Sequence, residues 1–342
     1  MNVPYGIIDG DGHVTETEEQ VRAYMEEPYR SRGGQIRAGH NYWDINMRGR
    51  LGSIAKDAQT WLDAMDEGGM ETAVLYPTSI GFTAALIWEP EVAVAVCRAY
   101  NDFLCAEFTG VSPRLKSVAL LPLQDVGEAV KELRRAVTER GHSGAMLAAV
   151  GPHPPLGRKE YFPLYEEAQR LGVMLAVHSA TQGIHHLAAD DYQRFIEVNT
   201  FCFPVGLFRH LVSMTFAGIP ELFPDLRVGW MEAGCGWVPY WLERMDEKWR
   251  IRGDEEAPNL KRSPTEYIRE GRWFFHAEAD EKIIPYVASV VGGDKLFFAS
   301  DFPHWDSEYP HNVAELLARE DLGEELKRNI LRENALRLYG MT

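Results

Sequence analysis

The chain has 342 residues, of which 45% are hydrophobic and 11% aromatic, so it can bury a large core and does not have the composition of a disordered protein. Its formal net charge of −16 argues against partners that are themselves negative, such as nucleic acid and anionic membrane surfaces. We therefore expect its partners to be small molecules and other protein subunits.

The sequence carries no sign of a membrane anchor. No apolar run reaches the roughly 20 residues of a membrane-spanning helix, and the chain begins MNVPYG rather than with a basic and then apolar leader. We therefore predict a cytoplasmic protein. Four cysteines without a CxxC spacing favour reduced thiols over disulfides or a cysteine-built zinc site: Cys97, Cys105, Cys202 and Cys235.

Eight short apolar runs have the nearly continuous hydrophobicity of strands that are buried on both faces. In chain order they are YGIID (5–9), METAVLYP (70–77), LKSVALLP (115–122), SGAMLAAV (143–150), GVMLAVHS (172–179), LRVGWME (226–232), RWFFHAE (272–278) and KLFFAS (295–300). Amphipathic segments that predict helices follow most of these runs, at 56–69, 89–108, 125–141, 161–172, 235–251, 280–292 and 323–340. Asp125 is a candidate N-cap, and Gly141 and Gly172 are candidate C-caps.

Eight strand and helix alternations predict a regular or distorted (β/α)8 TIM barrel. Such barrels often exceed 250 residues as one unit, so residues 1–342 are expected to form a single domain. The alternative is an open, doubly wound sheet, but the chain has no GxGxxG after its first strand. Helical insertions are predicted after strands 1 and 5, at about 14–55 and 180–218, where lids or subunit contacts commonly form.

Five of the eight runs end in residues that can bind a metal ion. The side chains are Asp11 and His13 after run one, His178 after run five, Glu232 after run six, His276 and Glu278 after run seven, and Asp301 and His304 after run eight. The carboxyl ends of barrel strands meet at one mouth, so these side chains are expected to crowd together there. Carboxylates and imidazoles crowded together are what a divalent metal needs.

The segments DGDGHV, AVHSA, MEAG followed by VPYWLERMDE, and LFFASDFPHWD resemble the metal-dependent amidohydrolase superfamily. The resemblance is to the amidohydrolase-2 group, which contains the aminocarboxymuconate semialdehyde decarboxylases and the resorcylate-type decarboxylases. His13, His178 and Asp301 fit the ligand pattern that the resemblance implies. Asp11 and Glu232 stand where that pattern has histidines, as in a divergent branch of the superfamily in which dinuclear sites occur and some members use dioxygen.

The two departures change the charge of the predicted site. With Asp11, Glu232 and Asp301 ionised, one divalent ion and a hydroxide leave an excess of two negative charges, whereas two ions with one bridging hydroxide restore neutrality. We therefore predict two divalent ions per chain, iron or manganese ahead of zinc, with His304 as a sixth ligand.

The predicted reaction is hydrolysis of a small organic molecule by metal-activated water, with Asp301, His178 and His304 as the candidate catalytic residues and Asp301 as the proton acceptor. Three alternatives stay open. They are non-oxidative decarboxylation, hydroxylation by a dinuclear iron or manganese oxygenase, and a non-catalytic subunit. The resemblance also implies a homo-oligomer or a hetero-oligomer with a related subunit.

Other residues carry weaker predictions. His276 and Glu278 are either substrate contacts or plain surface positions, and Trp43 in the first insertion is a candidate substrate contact. Asp9 lies on the same strand face as Asp11 but deeper. It is expected either to orient a metal ligand or simply to accept hydrogen bonds from backbone N–H groups.

Overall fold

The eight apolar runs form parallel strands in the computed structural model, which describes residues 4–32, 57–151, 154–180, 187, 189 and 191–341. The strands are β1 (Ile7–Val14), β2 (Met70–Pro77), β3 in two segments (Leu115–Ser117 and Ala119–Leu120), β4 (Gly144–Ala148), β5 (Met174–His178), β6 (Arg227–Met231), β7 (Trp273–His276) and β8 (Leu296–Phe297). Each strand pairs in parallel with the next along the chain.

The break within β3 is local. β2 pairs with the first segment of β3 and β4 pairs with the second. Between them, the Val118 amide donates to the Leu75 carbonyl at 3.2 Å, and the Ser143 amide donates to the Ser117 carbonyl at 2.9 Å. The ladder therefore continues from β2 to β4 across the break.

The ring closes between β1 and the residues that follow β8. The Gly10 amide donates to the Phe298 carbonyl at 3.0 Å, and the Asp301 amide donates to the Asp11 carbonyl at 3.0 Å. This closure confirms the predicted (β/α)8 barrel and excludes the open, doubly wound sheet. It also places Asp11 and Asp301 side by side.

Helices cover the outside of the barrel and its rims. They are α1 (Glu18–Arg22), α2 (Ala58–Gly68), α3 (Ser79–Ala84), α4 (Pro90–Leu104), α5 (Val126–Arg140), α6 (Phe162–Leu171), α7 (Phe195–Phe216), α8 (Ile219–Leu222), α9 (Val238–Glu256), α10 (Pro264–Glu270), α11 (Ile284–Val291), α12 (His311–Ala318), α13 (Glu324–Arg328) and α14 (Asn334–Tyr339). Short π-helical turns at Cys105–Thr109 and Asn329–Glu333 extend α4 and join α13 to α14.

The predicted caps are present. The Asp125 side chain accepts from the Glu128 amide at 3.0 Å and begins α5, and Gly141 ends that helix at φ 75°. Gly172 ends α6 at φ 67°. In both C-caps the backbone adopts the left-handed conformation that glycine allows without a steric penalty.

Both predicted insertions contain helix where the structure describes them. α1 lies in the first insertion and α7, with 22 residues, lies in the second. Trp43 lies outside the described residues. None of the helices in the described part of the chain has the length and apolar character needed to cross a membrane. All four cysteines are free thiols, as predicted.

Candidate active site

Six predicted metal ligands meet at the carboxyl end of the barrel. β1 supplies Asp11 and His13, β5 supplies His178, and the loops after β6 and β8 supply Glu232, Asp301 and His304. Their donor atoms fall into two groups, in each of which all atoms lie within 4.8 Å of one another.

The first group consists of Asp11, His13 and His178. The Asp11 carboxylate lies 3.5 Å from His13 Nε2 through Oδ1 and 3.2 Å from His178 Nε2 through Oδ2. All three side chains are almost completely buried. Asp11 is thus the central member of this group, in contact with both imidazoles.

The second group shares His13 with the first and adds Glu232, Asp301 and His304. Asp301 Oδ1 lies 3.3 Å from His13 Nε2 and 2.6 Å from His304 Nδ1. Glu232 Oε1 lies 3.5 Å from His304 Nδ1, and its Oε2 lies 3.3 Å from His178 Nδ1. Glu232 therefore connects the two groups through its contacts with His178 and His304.

The backbone at two of these carboxylates is unusual. Glu232 has φ 54° and Asp301 has φ 53°, and they are the non-glycine residues with positive φ in the described part of the chain. A non-glycine residue in this region costs about 1–3 kcal/mol and persists only where the surroundings impose it. β6 and β8 are thus each followed by a strained turn that carries a carboxylate of the cluster.

Backbone carbonyl groups orient two of the imidazoles. His13 Nδ1 lies 3.0 Å from the Pro77 carbonyl, and His178 Nδ1 lies 2.7 Å from the Ser179 carbonyl. A ring nitrogen that donates to a carbonyl leaves the other nitrogen with its lone pair free for a metal. In both residues the free nitrogen is Nε2, which points into the cluster.

Several buried donor atoms in the cluster have no hydrogen-bond partner among the described residues. They are Asp11 Oδ1, His13 Nε2, His178 Nε2 and Asp301 Oδ1, which make no hydrogen bond of ordinary geometry although each lies within 3.5 Å of a carboxylate or imidazole atom of the cluster. Buried polar atoms in proteins are almost always hydrogen-bonded, so four unpaired atoms that face one another need an explanation. Imidazole nitrogen and carboxylate oxygen are ordinary ligands of divalent iron, manganese and zinc, so the residues present fit a divalent metal site.

The groups of the cluster shift one another's pKa values. Burial and the negative charge of Asp301 raise the pKa of the Glu232 carboxyl well above its usual range. Burial alone lowers the pKa of His178, but the carboxylates of Asp11 and Glu232 outweigh it and raise the pKa to about 9. The cluster therefore favours added positive charge, whether as protons or as a divalent cation.

Asp9 belongs to β1, and its side chain reaches Ser300, which follows β8. Its Oδ1 accepts from the Asp11 amide at 3.2 Å and the Ser300 amide at 2.8 Å, and its Oδ2 accepts from the Ser300 hydroxyl at 2.6 Å. Burial raises the pKa of Asp9 to about 7 against these hydrogen bonds. Asp9 thus accepts hydrogen bonds from backbone N–H groups, as one of its two predictions states. Because these groups belong to Asp11 and to the residue before Asp301, the same hydrogen bonds could also orient two predicted metal ligands, as the other prediction states.

The two predicted residues at the end of β7 differ in their exposure to solvent. His276 is fully buried, and neither of its ring nitrogens has a hydrogen-bond partner among the described residues. Its burial rules out the plain surface position that the sequence left open for it. Glu278 has a side chain that is 47% exposed, with Oε1 3.6 Å from His276 Nδ1.

Comparison with known proteins decides the family. The amidohydrolase family model Amidohydro_2 matches residues 8–341. The chain belongs to the Amidohydro_2 family. This match confirms the resemblance that the strand-end motifs indicated.

Relatives of this Amidohydro_2 protein include two curated decarboxylases. It is 28% identical over 309 residues to the gamma-resorcylate decarboxylase of Rhodococcus jostii, covering 87% of this chain and 91% of the relative. This chain is also 24% identical over 277 residues to the 2-amino-3-carboxymuconate-6-semialdehyde decarboxylase of Dictyostelium discoideum, a match that covers 81% of this chain and 74% of the relative.

A solved structure supports the same fold. The crystal structure of a dihydroxybenzoic acid decarboxylase from Polaromonas, with bound manganese and the inhibitor 2-nitroresorcinol, has a TM-score of 0.73 to this protein at 21% identity, covering 98% of this chain and 97% of that one. At this identity the likeness shows that the Amidohydro_2 protein shares the barrel of that enzyme.

Sequence reasoning missed two aromatic residues beside the cluster. The ring centroid of Phe82, in α3, lies 5.0 Å from that of His178, and the ring of Tyr76, in β2, lies 5.4 Å from it. Neither residue had a distinguishing signal, because an aromatic residue in an apolar run is ordinarily part of the core.

Sequence reasoning also missed Glu281, in the loop after β7. Its carboxylate accepts from the amides of Cys235 and Gly236, at 2.9 Å and 2.8 Å, and so holds the loop that follows Glu232. Its spacing from Glu232 along the chain gives no pattern that could have revealed this contact.

Proposed function

We propose that this protein is a metal-dependent decarboxylase that removes carbon dioxide, without an oxidant, from a small hydroxylated aromatic acid or a related unsaturated carboxylic acid. The observation that carries the proposal is the buried cluster of carboxylates and imidazoles whose unpaired atoms face one another. The named activities of the curated relatives favour decarboxylation, which the sequence analysis left open as an alternative to hydrolysis.

We infer that the six donors hold two divalent ions, with manganese or iron as the metal. Asp11, His13 and His178 would hold one ion, and the second would be held by Glu232, Asp301 and His304. Since the Nδ1 atom of His13 contacts a backbone carbonyl, only its Nε2 is available and it serves one ion. When bound, such ions supply Lewis acidity and bind the oxygen atoms of a carboxylate and a neighbouring hydroxyl group.

Decarboxylation breaks a carbon–carbon bond and leaves the electron pair on the carbon that carried the carboxyl group. That carbon must then take a proton. Asp301 is the proposed proton donor, since its side chain is 17% exposed and so can meet a substrate at the mouth of the barrel. His304 Nδ1, 2.6 Å from Asp301 Oδ1, is the ring nitrogen that would bind the second ion, so Asp301 would regain its proton from solvent at the mouth of the barrel after each turnover.

The remaining residues would bind and orient the substrate. The apolar rings of Phe82 and Tyr76 lie beside His178 and exclude water from that side of the cluster. Thr78 Oγ1 lies 3.3 Å from His304 Nε2 and completes a chain of polar atoms from the partly buried Thr78 to Asp301.

Hydroxylation with dioxygen is the second candidate function. The observation that favours it is the donor set itself, because three carboxylates in one cluster suit divalent iron and manganese at least as well as zinc. Hydrolysis, the first prediction from the sequence, uses the same residues with Asp301 as the proton acceptor instead of the proton donor.

One assay separates the three reactions. Protein loaded with Mn²⁺ or Fe²⁺ is incubated with a panel of hydroxylated benzoic acids and with amide and ester analogues, while carbon dioxide release and oxygen uptake are both recorded. Decarboxylation predicts carbon dioxide release with no oxygen uptake, and the Asp301→Asn variant should lose it. Oxygen uptake coupled to product would establish the second candidate, and turnover of the amide or ester analogues alone would restore hydrolysis.

A further inference from the structure

An apolar cavity of about 290 Å³ lies at the same end of the barrel as the metal-ligand cluster. Leu120 and Ala148, the last residues of β3 and β4, form part of its wall. Its volume is close to the lower end of the roughly 300–1,000 Å³ that small-molecule sites span. The cavity is therefore large enough for part of a small molecule.

Two connections place this cavity next to the cluster. Ala148 is the direct register partner of His178, and paired residues in parallel strands point to the same side of the sheet. Gly81, which also lines the cavity, precedes Phe82, whose ring contacts that of His178. A molecule bound at His178 therefore has the cavity within reach on the side of β3 and β4.

The wall of the cavity is mostly apolar, with two polar exceptions. Gln124 Nε2 already donates to the carbonyls of Ala84 and Ile87, at 2.8 Å and 2.9 Å, and Glu160 is exposed to solvent, where its carboxylate would repel an acid group. Trp88 also lines the cavity, and 80% of its surface is exposed. Such a wall offers little to a charged or hydroxylated group and favours a hydrocarbon group that the indole of Trp88 can cover.

We propose that this cavity binds an apolar substituent of the substrate. On this view the natural substrate is an aromatic or unsaturated acid that carries an alkyl or second aryl group, rather than a simple dihydroxybenzoic acid. The proposal rests on the proposed function for the position of the acid group, but the cavity's preference for a hydrocarbon group can be measured without turnover.

The test is binding of resorcinol and its ethyl- and hexyl-substituted analogues to the full chain loaded with Mn²⁺, by equilibrium dialysis. Burial of each methylene group should tighten binding about fourfold until the cavity is full. Ala85→Leu extends a partly exposed residue of the wall into the cavity and should reduce the gain from the hexyl group at least tenfold. Ala314→Leu, the same change at an exposed site on α12, is the matched control and should leave the gain intact.

Trp88→Ala is a second variant that does not depend on how well the cavity tolerates an added side chain. It should weaken binding of the hexyl analogue and leave binding of unsubstituted resorcinol unchanged. Equal affinity for all three probes, or an equal loss in Ala85→Leu and Ala314→Leu, would overturn the proposal. If chain-length dependence is found but no acid is decarboxylated, the cavity assignment stands and the proposed function fails.

Discussion

The hydrogen bonds of Asp9 lead to a specific prediction about stability and metal binding. Asp9→Ala removes the acceptors of the Asp11 amide, the Ser300 amide and the Ser300 hydroxyl, all of which are buried. Each buried donor left without a partner costs about 1–3 kcal/mol. These costs are not fully additive, so we expect a total loss of about 3–5 kcal/mol in the free energy of unfolding.

Asp9→Asn should be far milder. Asparagine keeps the oxygen that accepts from both backbone amides, and its NH₂ group replaces only the atom that contacts the Ser300 hydroxyl. Because burial raises the pKa of Asp9 to about 7, an uncharged group is already tolerated at this position. We expect a loss of about 1 kcal/mol for this variant.

The two variants should also differ in metal affinity. The amides that donate hydrogen bonds to Asp9 belong to Asp11 and to the residue before Asp301. The alanine variant therefore removes contacts that hold the backbone at or next to two proposed metal ligands. Loss of such a supporting contact commonly weakens metal binding about 10- to 100-fold. Asp9→Asn should stay within a few-fold of the natural protein.

The assay is chemical unfolding with and without Mn²⁺, together with Mn²⁺ titration, on both variants. Asp63→Ala serves as the control, since Asp63 is exposed on α2 and, among the described residues, its side chain accepts from Gln59 alone. If Asp9→Ala unfolds at the same denaturant concentration as Asp63→Ala and binds Mn²⁺ equally well, the reasoning about Asp9 is refuted.

Three further predictions concern the site and the barrel. Asp301→Asn should lower the rate of carbon dioxide release about 10²- to 10⁴-fold, the usual contribution of a positioned acid, without lowering the melting temperature; a fully active variant would contradict this. Mn²⁺ at 100 times its dissociation constant should add about 2.7 kcal/mol to the free energy of unfolding, and chelation should remove this gain. Differential scanning calorimetry can check both effects, and a melting temperature that changes with neither Mn²⁺ nor chelator would count against metal binding. Burial lowers the pKa of His142 to about 4, so below pH 6.5 the unfolded chain takes up a proton that the folded chain does not, and stability should fall by about 3 kcal/mol between pH 6.5 and pH 4. His142→Gln should flatten this part of the pH profile, and an unchanged slope would exclude His142 as its source.

The strands were predictable because their physical signal is local. A strand buried on both faces is mostly apolar, and seven of the eight apolar runs contain the strand that the structure forms. The exception is β1, which begins in the first run and extends beyond it to Val14. The caps at Asp125, Gly141 and Gly172 were predictable for the same reason, since side chain and backbone act within three or four residues. The convergence of the strand ends then follows from the barrel itself.

The insertion helix α7 was harder to define. Its 22 residues are apolar on nearly every side and include Pro204, so no 3.6-residue periodicity marks its start or end. The backbone of Glu232 and Asp301 could not be foreseen either. Positive φ at these residues comes from the turns that follow β6 and β8. Aspartate adopts it more readily than most residues but glutamate does not, and neither residue type by itself predicts it.

The burial of His276 depended on tertiary pairing. The sequence places it at a strand end, where exposure is usual, but its pairing with Phe297 of β8 brings it inside. The contact between Glu232 and His304 was likewise invisible, because the two residues lie on loops after different strands. Single-domain organisation, oligomeric state and a role for Trp43 remain predictions.

The central claim is that Asp11, His13, His178, Glu232, Asp301 and His304 together bind divalent metal. The most direct measurement is an anomalous difference map from crystals of the full chain grown with Mn²⁺, recorded above and below the manganese absorption edge. We predict two peaks within bonding distance of these side chains, with the Glu232 carboxylate on one of them. Full Mn²⁺ occupancy elsewhere on the protein, with none at this cluster, would contradict the account.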